Sequence, residues 1–372
     1  MNIGLNGQNL LNPFPAGPEK YTFNLYKSLS KIDNKNKYTL YLNNNPGESI
    51  SELFRNTTFT FKVIRNRLFW TQFSLAKILY FSNINVFFTP VHTIPIVRNK
   101  KIKYLSMIHG LEYSSYKPKN IIELLSKGKP EKYTCINSDH IITPSNSTKD
   151  KIISKGWASS DKITVISEGV DESFYKRNYS EIDKVKNKYN LSNKQYIIFV
   201  GTIQPRKNLE NTIKAFSLAL KDLNRSDLVL FIAGKKGWDY ENILKSPQIY
   251  NIEDKVIFGG RIPDENLPAL ISGSIGMVNF SIDEGFGLPV LEAMSCEVPC
   301  ALSNLPSFKE IIGKYALYSD NNPDQMKETI IKLITDDHTN MIKMAKNKAR
   351  EYSWDETARK TLGIFNLIQS SN

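Results

Sequence analysis

Cysteine is scarce in this 372-residue chain, and Cys135, Cys296 and Cys300 fall into no metal-ligand spacing. Such an odd, sparse set excludes a disulfide scaffold and is expected as reduced, buried thiols, with Cys296 and Cys300 in or near a helix-to-strand turn. There are four histidines and no Asp-x-Asp motif, so no metal is expected. No apolar run approaches the length needed to cross a bilayer. The opening MNIGLNGQNL has neither the basic nor the apolar region of a signal peptide. Zinc-finger spacing, RNA-binding aromatic signatures, solenoid repeats and low-complexity tracts are also missing, which argues against nucleic acid as a partner. The expectation is a cytoplasmic protein, soluble or peripheral on the inner face of the plasma membrane.

Charge is abundant but uneven. The net charge is +12, and residues 1–170 carry all of it, with 23 Lys/Arg against 11 Asp/Glu. Such asymmetry points to an anionic partner for the first half: an anionic membrane surface or a lipid-pyrophosphate-linked acceptor. A basic surface that merely keeps the protein soluble is the other reading. Within this half, Arg65 to Phe81 mixes basic residues with Leu68, Phe69, Trp70, Phe73, Ile78 and Leu79. That spacing fits an interfacial helix and a core helix alike. The basic stretch Lys117 to Lys132 is a second membrane-facing candidate.

Short apolar runs alternate with amphipathic stretches, the pattern of an α/β chain with parallel sheets. Strands are expected at Asn2–Asn6, Tyr38–Asn43, Phe59–Ile64, Val86–Thr89, Lys103–His109, His140–Pro144 and Ile163–Ile166, with helices such as Tyr21 to Ser30 and Leu68 to Tyr80 between them. A second series follows at Tyr196–Gly201, Leu228–Gly234, Lys255–Gly259, Gly276–Ser281, Val298–Leu302 and Ala316–Tyr318. With 41% hydrophobic residues, the chain can build two doubly wound domains, each binding at its strand carboxyl ends.

The chemistry concentrates in Asp283-Glu284-Gly285-Phe286-Gly287-Leu288-Pro289, which reads as a strand end, a glycine loop and a helix start. Gly285 and Gly287 allow a tight turn that exposes N–H groups. Pro289 suits the first helical position, and the helix N-terminus behind it is a natural phosphate seat. Glu284 and Glu292 flank that seat, and ionised carboxylates accept hydrogen bonds from sugar hydroxyls. On spacing alone, a dipole-satisfying Glu292 and a solvated Glu284 are equally open. Arg206 and Lys207 follow the first strand of the second series and could meet a diphosphate or simply face solvent. His109 closes a strand and is open to a sugar contact or to a structural role.

The text EGFGLPVLEAMSCEVP resembles the Glu-x7-Glu motif of group 1 (family 4) retaining glycosyltransferases, and VGTIQPRKNLENTIKAF resembles their diphosphate-binding segment. The resemblance covers nearly the whole chain and implies the GT-B fold: two Rossmann-like domains facing a crevice, with a C-terminal helix crossing back to the first. It implies an acceptor domain at 1–172, completed by helix 354–372, and a nucleotide-sugar domain at 173–353. Glu284 would hold sugar hydroxyls, Glu292 the nucleotide ribose, and Lys207 with Arg206 the leaving diphosphate. The N–H groups of Phe286, Gly287 and Leu288 would complete the donor contacts, together with Gly285, Gly201 and Thr202. His109, in a His-Gly-Leu element, would line the active centre, with His92 a weaker candidate for the acceptor. LLNPFPAGPEKYTF resembles the glycine loop in which Gly17 approaches the donor phosphates. Four positions depart from the family: Thr202 for Arg, Glu168 for Asn, Pro18 for Ile and Glu19 for Gly.

GTIQPRKN and GKKGWDY look most like bacterial mannosyltransferases that use GDP-mannose in O-antigen synthesis. The expected activity is therefore a metal-independent transfer of mannosyl to a glycan or lipid-linked acceptor. A UDP-hexose donor is the alternative within the class, and a non-catalytic nucleotide-sugar-binding subunit is the alternative outside it.

Overall fold

The structure is a computed structural model that describes residues 1–12, 15–55, 57–65, 69–111 and 129–370. The chain forms two compact units: Met1–Gly169 with the segment from Ser353 onward, and Val170–Tyr352. The division falls at Gly169 and Ser353, slightly before the expected residues 172 and 354.

Among the described residues the first unit holds seven parallel strands: β1 Asn2–Asn6, β2 Lys37–Leu42, β3 Phe59–Val63, β4 Val86–Thr89, β5 Lys103–Met107, β6 His140–Thr143 and β7 Ile163–Val165. They are ordered β3-β2-β1-β4-β5-β6-β7. The second unit holds six: β8 Gln195–Val200, β9 Leu228–Ala233, β10 Val256–Gly260, β11 Gly276–Asn279, β12 Cys300–Ser303 and β13 Leu317–Ser319, ordered β10-β9-β8-β11-β12-β13. Central strands such as β9, reading LVLFIA, are buried at every position. Such continuous apolar runs are what parallel sheets covered on both faces require.

The last helix, Trp354–Ser370, packs along helix Gly17–Ile32 of the first unit. Trp354, Phe365 and Ile368 enter the same core as Ile3, Leu5 and Leu25. Where the two segments of this unit meet there is no room for a side chain: a Cβ on Gly169 would lie 2.3 Å from the Trp354 nitrogen.

The helix expected from Leu68 to Tyr80 takes a different form. Leu68 lies outside the described residues, and a π-helical turn, Thr71–Leu75, runs into helix Ala76–Tyr80. The buried Trp70 explains the wider turn. Its indole donates to Ile64 O (2.9 Å), while its own carbonyl accepts from Leu75 N five residues on (2.9 Å). The basic stretch from Lys117 lies outside the described residues as far as residue 128, as do Pro13 and Phe14 of the glycine-loop segment.

Candidate functional site

In each unit the candidate residues gather on loops at the carboxyl ends of the strands. In the second unit, β8 runs into a short turn, Pro205–Lys207, followed by Asn208 in the left-handed region (φ 56°) and helix Leu209–Leu223. From the end of β11 comes the loop carrying Ser281 to Gly287. The two loops are stitched in both directions. Ile282 N donates to Arg206 O (2.9 Å), and Arg206 Nη1 donates back to Asp283 O (2.6 Å).

Glu284 sits at this seam and is buried, not solvated. Lys207 Nζ donates to its Oε1, and Arg206 Nη1 donates to its Oε2 at 3.0 Å. Ser281 Oγ is 3.0 Å from Glu284 Oε1. Burial by itself would push the carboxyl up, but the charges of Lys207 and Arg206 outweigh it and hold the pKa down to about 2. Glu284 is thus a carboxylate at any working pH, able to accept hydrogen bonds but not to donate a proton. The solvent-facing reading of all three side chains is overturned: Lys207 is only 8% exposed and its ammonium donates to Glu284 of the loop.

Helix Leu288–Ser295 follows, with Gly287 as N-cap at φ 103°, where a Cβ would also strike the Phe308 ring at 2.6 Å. Pro289 therefore occupies the second helical position, and Leu288 the first. The Phe286 side chain belongs to the core, its ring edge-on to Tyr352 at 5.8 Å. The N–H groups of Phe286, Gly287 and Leu288 donate no hydrogen bond among the described residues, as expected for a helix start open to an anion. Glu292 is buried one turn further along.

Gly201 and Thr202 are fixed by the loop after β9. Ile203 N donates to Lys235 O (2.9 Å), and Gly237 N donates to Ile203 O (2.9 Å). A Cβ at Gly234 would lie 1.7 Å from Gly201 O, and one at Gly237 would lie 2.7 Å from Thr202 Cγ2. These two glycines are supporting residues that sequence reasoning missed. The signal was the spacing in GKKG directly after an apolar strand.

In the first unit, Gly17 opens helix Gly17–Ile32, and a Cβ there would meet nothing within 4 Å. The glycine leaves space that packing does not demand. Glu19 turns back on its own helix start, accepting from Ala16 N (3.0 Å) and Asn12 Nδ2 (2.9 Å). It acts as a cap for the helix start.

His109 is placed differently from a free sugar ligand. Its Nε2 is 3.0 Å from Pro90 O and its Nδ1 is 3.1 Å from Glu168 Oε1, so both ring nitrogens are engaged within the unit. The departure at Glu168 thereby acquires a role as the partner of this ring. His109 N donates to His92 Nε2 (3.2 Å), and His92 Nδ1 lies 3.2 Å from Oε1 of the buried Glu131. Among the described residues neither Glu131 oxygen has a well-directed hydrogen bond, so the His92 approach is close in distance but poor in angle. Sequence reasoning did not single out Glu131.

Beyond β1, β2 and β4 opens a cleft of about 530 Å³. Gln8, Asn9, Asn12, Asn43, Asn44, Thr71 and Thr93 line it with neutral polar residues, beside Leu11 and Val91. Among the described residues no group of three or more His, Cys, Asp or Glu could hold a metal ion, and no helix is long and apolar enough to cross a membrane.

Two Rossmann-like parallel sheets, each with its candidate residues on loops at the strand carboxyl ends, form a doubly wound α/β scaffold of the kind that binds ligands there. The chain matches the family model described as Glycosyl transferases group 1 over residues 181–352, and that described as Glycosyltransferase Family 4 over residues 15–174. It belongs to the group 1 glycosyltransferase family. It is 29% identical over 256 residues to O-antigen chain mannosyltransferase B of Escherichia coli, an alignment covering 68% of this chain and 66% of that protein. It is also 29% identical over 284 residues to O-antigen chain mannosyltransferase RfbU of Salmonella typhimurium, covering 75% and 73%. Serotype-specific mannosyltransferase WbdA of Escherichia coli is 31% identical over 241 residues, and the match spans 63% of this chain but 29% of WbdA.

Solved structures confirm the GT-B fold. Anabaena Alr3699/HepE in complex with UDP and glucose superimposes with a TM-score of 0.77 at 15% identity, covering 98% of this chain and 99% of that one. WaaG, a glycosyltransferase involved in lipopolysaccharide biosynthesis, gives 0.74 at 11% identity over 98% and 99%.

Proposed function

We propose that the protein is a retaining, metal-independent hexosyltransferase that moves mannosyl from GDP-mannose to a glycan or lipid-linked acceptor in cell-surface polysaccharide synthesis. The observation that carries the reading is the buried Glu284–Lys207–Arg206 cluster set directly before an N-terminus with unused N–H groups. A leaving diphosphate gains negative charge as the glycosidic bond breaks. Lys207 and the start of helix Leu288–Ser295 are the fixed positive groups that stabilise it. An ammonium carries three donors, so Lys207 can keep Glu284 with one and turn others to phosphate oxygens.

Glu284, held ionised, accepts from the sugar hydroxyls and fixes the ring. The acceptor hydroxyl then attacks on the face from which the diphosphate departs. The bonding pair of the anomeric C–O bond leaves with the diphosphate, and the acceptor proton passes to a phosphate oxygen, which gives retention. Glu292 accepts from the ribose hydroxyls. The amide-lined cleft of the first unit suits a neutral glycan acceptor. The mannosyl assignment is supported by the names of the relatives; a UDP-hexose is the second reading, favoured by the UDP-glucose bound in a structure of HepE.

The test is nucleotide release from GDP-mannose, GDP-fucose, UDP-glucose, UDP-galactose and UDP-N-acetylglucosamine, with chelator and a lipid-extract acceptor. GDP release from GDP-mannose that resists chelation and disappears in Lys207→Ala and Glu284→Ala is the expected result. Release from a UDP donor instead would reassign the donor, and loss on chelation would overturn metal independence. Tight nucleotide binding without turnover on any acceptor would favour a binding subunit.

A further inference from the structure

We propose that the outer face of the segment 69–81, together with the loop 94–101, is a docking surface for an anionic lipid bilayer. The inference stands on this surface alone and does not depend on the catalytic reading.

The segment has two faces. Trp70, Leu75 and Leu79 point inward and are buried. Phe69, Phe73 and Phe81 point outward and are 72%, 66% and 76% exposed, and beside them Ile96 and Val97 are 63% and 61% exposed. These side chains lie on two segments that are tied together. Phe69 and Phe73 meet edge to face at 6.0 Å, as do Tyr80 and Phe81 at 5.3 Å. The two stretches are tied by Gln72, which accepts from Ile96 N (2.9 Å) and donates to Ile94 O (3.1 Å). Asn99 Nδ2 adds a bond to Tyr80 O (2.9 Å). A soluble surface gains nothing from holding so many large apolar groups together in water, and such a patch marks an interaction site.

Charge identifies the occupant. Between Glu52 and Glu112 the chain contains no Asp or Glu and nine Lys or Arg. Lys77, Lys100 and Lys101 of this stretch are exposed on the same two segments as the aromatics. Exposed Phe, Ile and Val beside lysines suit insertion at the headgroup boundary of an anionic membrane. A second copy of this chain is a poor occupant, because a two-fold contact would set the same lysines against each other. Nucleic acid would use the cations but leaves Ile96 and Val97 without a function. Thr71, between Phe69 and Phe73, also lines the amide-rich cleft, so docking would hold that cleft at the membrane surface.

The test is flotation of the full chain with phosphatidylcholine vesicles that contain or lack phosphatidylglycerol, at low and high salt. The variants are Phe69→Ser/Phe73→Ser/Phe81→Ser and Lys77→Glu/Lys100→Glu/Lys101→Glu. All six positions are exposed, and circular dichroism checks that the variants fold. The expected result is flotation with phosphatidylglycerol vesicles only, weakened by salt, with partitioning reduced at least about tenfold in each variant. Failure to float would overturn the proposal, as would flotation that ignores the serine substitutions. Self-association that the serine variant abolishes, without vesicle binding, would assign the face to a second copy. Retention on single-stranded nucleic acid in place of vesicles would assign it to a polyanion.

Discussion

Replacing Glu284 by Gln tests the central cluster with almost no change of shape. The carboxyl is held near a pKa of 2 against an ordinary 4.5, so its ionised form contributes about 3 kcal/mol to the second unit at neutral pH. The folded value is the lower one. The contribution is therefore complete above about pH 4.5 and is lost as pH falls toward 2. Glu284→Gln removes it and leaves Lys207 and Arg206 buried beside a neutral amide, for which the expected cost is about 3–5 kcal/mol. In a unit of this size that corresponds to a melting transition lower by roughly 6–20 °C.

Calorimetry is the suitable assay, because two compact units need not unfold together and a single midpoint could hide the effect. At neutral pH the variant's second-unit transition should fall well below that of the parent. Between pH 5 and pH 3 the gap should narrow by about 2 kcal/mol, since only the parent still has a carboxylate to protonate. A variant as stable as the parent at neutral pH, with the same acid dependence, would refute the ion-pair reasoning.

Gly234→Ala should destabilise the second unit by about 1–3 kcal/mol and, on the proposed function, weaken GDP binding, because its Cβ would strike the Gly201 carbonyl and part the loops after β8 and β9. Thermal melts with a GDP titration check this, with Gly17→Ala as a control whose stability should stay within about 0.5 kcal/mol of the parent. Cys135, Cys296 and Cys300 are buried, and burial pushes each thiol up to about 12, so none should react with Ellman's reagent in the folded protein at pH 8. Three equivalents should react in urea, and fast labelling of the folded chain would contradict their packing.

The thirteen strands among the described residues lie where apolar runs bounded by polar turns placed them, with edges shifted by at most two residues. Parallel strands buried on both faces leave a strong local mark, and β4 at Val86–Thr89 needed no adjustment. What escaped the sequence depends on long-range contact. The pairing of His109 with Glu168 joins residues 59 apart, and the pairing of Lys207 with Glu284 joins residues 77 apart. Neither leaves a periodic signal. The π-helical turn after Trp70 escaped for a related reason: its cause is an indole bond to Ile64, not the helical propensity of TQFSL. Pro289 was misplaced by one position because Gly287, with its positive φ, became the cap and Leu288 the first helical residue.

The two cations beside Glu284 are not equivalent, and the geometry separates their tasks. Arg206 offers its main chain to Ile282 N and its guanidinium to Asp283 O and Glu284, so it braces the turn after β8 against the loop after β11. Moving Arg206 to a phosphate would release that brace at the moment the site must hold its shape. Lys207 donates to the Glu284 carboxylate and carries a compact, rotatable charge, which can share a carboxylate and a phosphate without disturbing the backbone. In the proposed reaction Arg206 therefore positions Glu284, and Lys207 meets the diphosphate. The missing family arginine at Thr202 fits the same division. Thr202 sits opposite Gly237, where a Cβ would already come within 2.7 Å of its methyl, so this edge of the site is closed by packing instead of by charge.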